Sequence, residues 1–486
     1  MKHRVLAAGS LAVFPPPHQF FFPRDWTDNL GFVWCGAKHA GFDDAVGIGI
    51  RQAATGGGNF VPWCDAPVGS QQRLGMFVLP HAVKGDSDVI AEALRYTRGD
   101  RFADLPDQTT FTSHYHMAIG DEAMRRPAAE RDKFVPDFVD VFKRMNVAIV
   151  HLGEFHGDGH PKDPGPLRLP EMEMFFRECR RLSDDKLLLI PGEEINEWLG
   201  VAEPGKHPGH WMSLFPREVY WMQKRGPDEP WRQDDPKYGT VYRVGIREDM
   251  TKLIAAEGAL VWTAHPRIKA SSWAPDAFRD EAFYKDASWL GAAWKAMPAD
   301  LSEPRLGRRG LDLLDDMSNW GERKYLPGEV DVFKIDRTHE LYGHMNVNYL
   351  RLPKAPRYEQ GWKPVMDALR TGAFFTTTGE VLLHAFTVGG KPSGETLVLD
   401  STSPTRLRVD LEGTFPLEFA EIISGDGKQV FRQRVDLAGG KAFERRTVEV
   451  ELDLANRKWV RFEAWDVATN GAYTQPVWIE RRQDAE

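Results

Sequence analysis

Apolar positions follow three rhythms in succession along this chain. Up to about residue 107 the apolar runs are short and interrupted by turn residues, among them Pro15, Pro16 and Pro17, Gly56, Gly57 and Gly58, and Asp65-Ala66-Pro67. That pattern predicts an irregular, β-rich region. Within it, Val89, Ile90, Ala93, Leu94 and Thr97 recur at helical spacing. They predict one helix, capped by Ser87 and ending near Gly99. From about 108 to 380, short apolar runs alternate with helical periods. Residues 111–113, 147–150, 187–190, 259–263 and 330–333 read as strands. Phe138, Val139, Val141, Phe142 and Met145 mark one helix, and Met172, Phe175, Phe176, Cys179 and Leu182 the next. Residues 250–257 mark a third, ended by Gly258. Strand–helix alternation of this kind favours a parallel sheet or a barrel.

Two stretches, 200–245 and 268–328, break the alternation and are rich in Trp, Pro and charge. Insertions of that length are expected to form lids or substrate walls. After about 381, apolar and polar residues alternate in 405–411, 447–454, 459–465 and 473–479, with turns such as Ser424-Gly425-Asp426-Gly427 between such segments. This predicts a β-sandwich. The expected organisation is a β-rich region over 1–107, an α/β catalytic unit over 108–380 and a sandwich over 381–486.

Composition narrows the function class. A chain of 486 residues implies two or three domains. Hydrophobic content of 42% and charged content of 27% are those of a globular protein. The net charge of -9, with no basic run, argues against a nucleic-acid surface. No apolar stretch approaches the ~20 residues of a membrane span. The cysteines, Cys35, Cys64 and Cys179, have neither metal spacing nor a disulfide framework, and Cys179 is expected in the core. Met1-Lys2-His3-Arg4 and the apolar run 5–14 resemble an export leader, but they read equally as a first strand. The compartment and oligomeric state stay open, and the expected partner is a small-molecule substrate.

The chemistry lies in the histidines. Six of the 15 fall at the ends of strand-like runs: His114-Tyr115-His116, Glu154-Phe155-His156, Gly209-His210, Ala264-His265-Pro266 and Asp336-Arg337-Thr338-His339. Pro191-Gly192-Glu193-Glu194 adds two acids after another such run. In an extended segment residues i and i+2 share a face, so His114 and His116 can reach one ion. His151 lies within its strand and is expected to be structural. One histidine at a strand end is ordinarily a satisfied structural residue. So many at consecutive strand ends are the ligand set of a metal centre, placed where α/β barrels carry their chemistry.

The order of these motifs resembles the PHP (polymerase and histidinol phosphatase) superfamily of metallohydrolases. It is most similar to the branch related to carbaryl hydrolase, in which a β-sandwich follows the catalytic domain. The resemblance covers roughly residues 108–480. It implies a distorted (β/α)7 TIM-like barrel and two or three divalent ions of zinc, manganese or iron. It also implies hydrolysis, most often of phosphate esters. By the family's motifs, His114 and His116 form the opening pair, Glu194 is the Gly-x-Glu ligand, and His210 and His265 are the later histidines. Glu154 and His156 stand where the family has adjacent Asp-His, so it is open whether both ligate. Asp336 and His339 stand for its closing Asp-x-His, with His344 as an alternative to His339.

The expected nucleophile is a hydroxide bridging the ions, formed because metal binding lowers the pKa of water to about 7. Glu194 is expected to bridge the ions, Arg267 to hold a phosphate, and His344 or Asp336 to protonate the leaving group. A phosphoesterase is the first expectation. A carbamate, ester or amide hydrolase on the same site is the second, and a non-catalytic metal-containing binding protein the third.

Overall fold

The computed structural model describes residues 2–6, 9–14, 16–19, 33–36, 47–50, 75–82, 86–116, 126–154, 168–195, 209–267, 271–295, 305, 307–332, 341–399 and 404–482. It is an α/β structure with more strand than helix, arranged in several sheets. At the start, Lys2–Leu6 pairs antiparallel with Gly9–Phe14, which pairs in turn with Phe77–His81. The helix of this region spans Asp86–Arg95, so Ser87 lies inside it rather than capping it.

The strands that carry the candidate chemistry belong to two sheets. Thr109–Tyr115, Ile149–Leu152 and Leu188–Ile190 run parallel in one. Glu193–Ile195, Trp211–Leu214, Leu260–Thr263 and Trp289–Ala292 form the other. Trp211–Leu214 is antiparallel to both its neighbours, a departure from an all-parallel order. These strands are short and fully buried, which explains why they read as continuous apolar runs rather than alternating ones. The helices flank them. Asp137–Met145 buries Phe138, Val139, Val141, Phe142 and Met145. Arg168–Leu182 buries Met172, Phe175, Phe176, Cys179 and Leu182. Arg247–Glu257 precedes Leu260–Thr263. Burial of each large apolar side chain contributes about 1.5–3 kcal/mol.

No regular ladder closes these sheets into a barrel among the described residues. Isolated bridges link them instead. Glu154 bridges Glu193, Tyr325 bridges Gly291, Gly328 bridges Trp294, and Val332 bridges Tyr115, all parallel. The expected strand over 330–333 is thus part of a longer, irregular extended segment, 325–332. Its backbone is satisfied partly by side chains. Asn348 accepts from the Gly328 N–H at 2.7 Å and donates to the Gly328 carbonyl at 2.9 Å. Asn346 donates to the carbonyls of Glu329 and Trp294.

The stretch 268–328 is not an insertion. It supplies the buried strand Trp289–Ala292, the helix Arg308–Asn319 and the start of the bridging segment. Two of its four Trp residues, Trp289 and Trp294, are fully buried in the core. The stretch 200–245 likewise supplies a core strand, Trp211–Leu214, and after it a small separate sheet, Tyr220–Met222, Gly239–Arg243 and Arg232–Asp235.

The C-terminal residues are all-β, as their alternation predicts. Val381–Val388, Thr405–Gly413 and Glu444–Leu452 make one antiparallel sheet. Leu407, Val409 and Leu411 are buried while Arg406 and Arg408 point outward. Leu417–Gly425, Trp459–Asp466 and Gly471–Thr474 belong to the other sheet. Phe386 and Phe462 meet between the two, 6.4 Å apart. Phe374–Thr377 pairs with Val347–Leu350 on one side and Gly471–Thr474 on the other. One continuous sheet therefore runs from the C-terminal strands to the His114 strand.

Candidate metal centre

His114 sits at an irregularity. The register between Thr109–Tyr115 and Ile149–Leu152 shifts between Ser113 and Tyr115, and His114 has φ +74°. The expected plain alternation of His114 and His116 is replaced by a bulge, which re-aims a side chain at the end of a strand. His265, Arg267 and Asp331 also have positive φ, at 31°, 60° and 51°. Backbone in these regions costs on the order of 1–3 kcal/mol per residue and clusters where function over-determines it.

The side chains converge on Glu194. Its Oε1 is 3.3 Å from Nε2 of His114, 2.8 Å from Nδ1 of His210 and 2.9 Å from Nε2 of His265. Its Oε2 is 3.3 Å from Nε2 of His116. Two groups of candidate ligand atoms result, His114–His116–Glu194 and Glu194–His210–His265, each within 4.8 Å. Glu194 is common to both. Every member is buried except His210, whose side chain is 13% exposed and gives the second group its opening to solvent.

Two acids join them that sequence reading did not find. Asp331 places Oδ1 3.6 Å from Nε2 of both His114 and His116. Glu329 accepts from Nδ1 of His114 at 2.9 Å and from the backbone N–H of His265 at 2.6 Å. The Nδ1 of His116 donates to the Gly153 carbonyl at 2.6 Å. Both imidazoles are thus held with Nε2 facing Glu194 and Asp331, the arrangement in which a metal-binding histidine is oriented by an outer partner.

These residues fit a divalent cation. The buried Nε2 of His114 has no well-aligned hydrogen bond; it faces carboxylate oxygens of Glu194 and Asp331 at 3.3 and 3.6 Å. Ligands ~2.1 Å from a tetrahedral ion stand ~3.4 Å apart, close to the separations among His114, His116, Glu194 and Asp331. Imidazole with carboxylate suits zinc, iron or manganese. Burial opposes charge on His114, yet Glu329, Glu194 and Asp331 outweigh it and raise its pKa to about 10. Burial likewise opposes charge on Glu194, but His114 and His210 hold its carboxyl well below the usual range.

The remaining candidates fall elsewhere. His151 is structural, as expected: it accepts from Ser113 Oγ and donates to the Ser213 carbonyl, and burial pushes its pKa down to about 3. Glu193 points away from Glu194, as strand alternation requires, and pairs with buried Arg168, which stacks on Trp221. Glu154 is buried but in neither ligand group. Arg267 is held between Asp276 and Asp316, at 2.7 and 2.6 Å, so its charge is already answered by two carboxylates. His344 lies on the turn Tyr342–His344, in neither ligand group. His156, Asp336 and His339 lie outside the described residues. Cys179 is buried, and burial pushes its thiol pKa up.

A signal for one of the two missed acids, Glu329, was present. Leu326-Pro327-Gly328-Glu329 repeats Ile190-Pro191-Gly192-Glu193. In both, glycine is required by close approach. A Cβ on Gly192 would lie 2.0 Å from Nε2 of His151, and one on Gly328 2.6 Å from Nδ2 of Asn346.

Compared with family models, curated proteins and solved structures, the chain matches none of them.

Proposed function

We propose that this protein is a metal-dependent hydrolase of the PHP type, acting on phosphate esters at a centre of two ions that share Glu194. The observation that carries the reading is the convergence on one buried carboxylate of imidazoles from separate strand ends, with Asp331 beside them. The proposed architecture is the distorted (β/α)7 barrel. It is supported by the run of links from Thr109–Tyr115 through Ile149–Leu152, residues 188–195, Trp211–Leu214, Leu260–Thr263, Trp289–Ala292 and 325–332 back to Tyr115.

When bound, such ions supply Lewis acidity and a water acidified toward neutral pH. The chain's own groups do the rest. Glu329 and the Gly153 carbonyl keep the Nδ1 protons of His114 and His116, leaving each Nε2 as a donor to a cation. Glu194 keeps its negative charge where the ions need it. His210 lies at the open edge, so a small-molecule substrate enters from the side of His210 and His265. Arg267, committed to Asp276 and Asp316, is not the phosphate holder in this scheme.

The test is metal content, followed by turnover of nitrophenyl phosphate mono- and diesters with added manganese or zinc. The expected result is bound metal and phosphatase turnover, both lost in His114→Ala and Glu194→Ala. Metal retained with turnover of carboxyl esters alone would move the assignment to the ester and amide class. Less than one bound ion per chain would overturn the hydrolase reading.

A further inference from the structure

We propose that Lys295 is a positioning residue of this centre: it holds one oxygen of Asp331 so that the other faces the ion bound by His114, His116 and Glu194. The inference rests on the metal reading above.

The Nζ of Lys295 is 2.9 Å from Oδ2 of Asp331. The other oxygen, Oδ1, is the one that stands 3.6 Å from both histidine Nε2 atoms. The two side chains are 3% and 2% exposed. An ammonium is costly to bury unless it is paired, so at a position needed only for packing an apolar residue would serve better. The backbone fixes the pair. Lys295 follows Trp294, which bridges Gly328, and the Glu329 N–H donates to the Trp294 carbonyl at 2.9 Å. Asp331 lies two residues further on, with its own φ at 51°.

A free carboxylate binds a cation through either oxygen or both. A charge-assisted hydrogen bond at Oδ2 confines Asp331 to one donor atom and one direction. Lys295 acts on the centre through Asp331.

The experiment is calorimetric titration of metal-free, full-length protein with Zn2+, comparing wild type, K295M, K295R, D331N and K295M/D331N. K295M is expected to weaken one of two ions by about 10–100-fold, the usual effect of losing a partner that orients a ligand. The ion at His210 and His265 should change little. K295R should restore most of the affinity, and the double variant should bind no more weakly than D331N. With Co2+ as the probe, K295M should also alter the visible absorption of the bound ion. Wild-type affinity for both ions in K295M would overturn the inference, as would further weakening of D331N by K295M. If K295M does not fold, K295Q replaces it with the same expectations. A wild-type protein that takes up no ion would overturn the metal reading itself, which is a separate result from a metal-binding protein indifferent to Lys295.

Discussion

Oε2 of Glu329 lies 2.9 Å from Nδ1 of His114, and both side chains are fully buried. The other carboxylate oxygen accepts from the His265 backbone N–H. Glu329 therefore sets the direction of one candidate ligand, His114, and the backbone of another, His265. Glutamine cannot replace it, because its amide accepts at one end only and must face one of these donors with another donor. Glu329→Gln is expected to weaken metal binding by about 10–100-fold. Competition with a chromophoric chelator measures it, and unchanged affinity would refute the role.

The metal-free centre should be pH-sensitive in a definite direction. The pKa of His114 is raised from 6.5 to about 10 in the folded protein, its carboxylate neighbours outweighing burial. Stability from this group is fully present below pH 6.5 and is lost as pH rises through 10. The melting temperature of chelator-treated protein should fall across that window. A level profile there would sink this account of the cluster's charge.

Metal uptake should release protons for the same reason. A cation at Nε2 of His114 must displace the proton that its neighbours hold there. Calorimetry in buffers of different ionisation enthalpy reads the number released. Affinity should weaken as pH is lowered, and affinity independent of pH would contradict the assignment of His114 as a ligand.

Gly192→Ala should be poorly tolerated. The new Cβ would stand 2.0 Å from Nε2 of His151 and 2.5 Å from the Leu152 carbonyl oxygen. Relief requires the end of Ile149–Leu152, whose next residue Gly153 orients His116, to move away from the strand carrying Glu194. The expected cost is about 2–3 kcal/mol, with loss of metal binding. Thermal denaturation together with metal content checks both parts. An alanine variant as stable as wild type would show that the close approach is not required.

Asn348→Ala tests the bridging segment. Asn348 satisfies both backbone groups of Gly328, accepts from Thr376 and donates to the Phe111 carbonyl. Leaving buried backbone groups unsatisfied costs about 1–3 kcal/mol each, so a loss of roughly 3 kcal/mol or more is expected in denaturant titration. Metal binding should fall as well, since Glu329 and Asp331 follow directly. A loss below ~1 kcal/mol would mean that water replaces the amide.

The sequence by itself determined the local elements and much of the candidate cluster. The helices Asp137–Met145 and Arg168–Leu182 and the strands Ile149–Leu152 and Leu260–Thr263 were legible because burial imposes a period on neighbouring residues. His114, His116, Glu194, His210 and His265 were legible as strand-end residues of one chemical kind. Only the tertiary structure decided that 289–292 is a core strand rather than part of a lid, and that 325–332 is extended without a regular ladder. It alone brought Glu329 and Asp331 to His114, set Lys295 on Asp331 and aimed Glu193 away. Periodicity records which face a residue takes within its own element. Which charges meet depends on how far apart pieces of chain are bridged, and a bulge at His114 or a glycine pressed against His151 leaves no periodic mark.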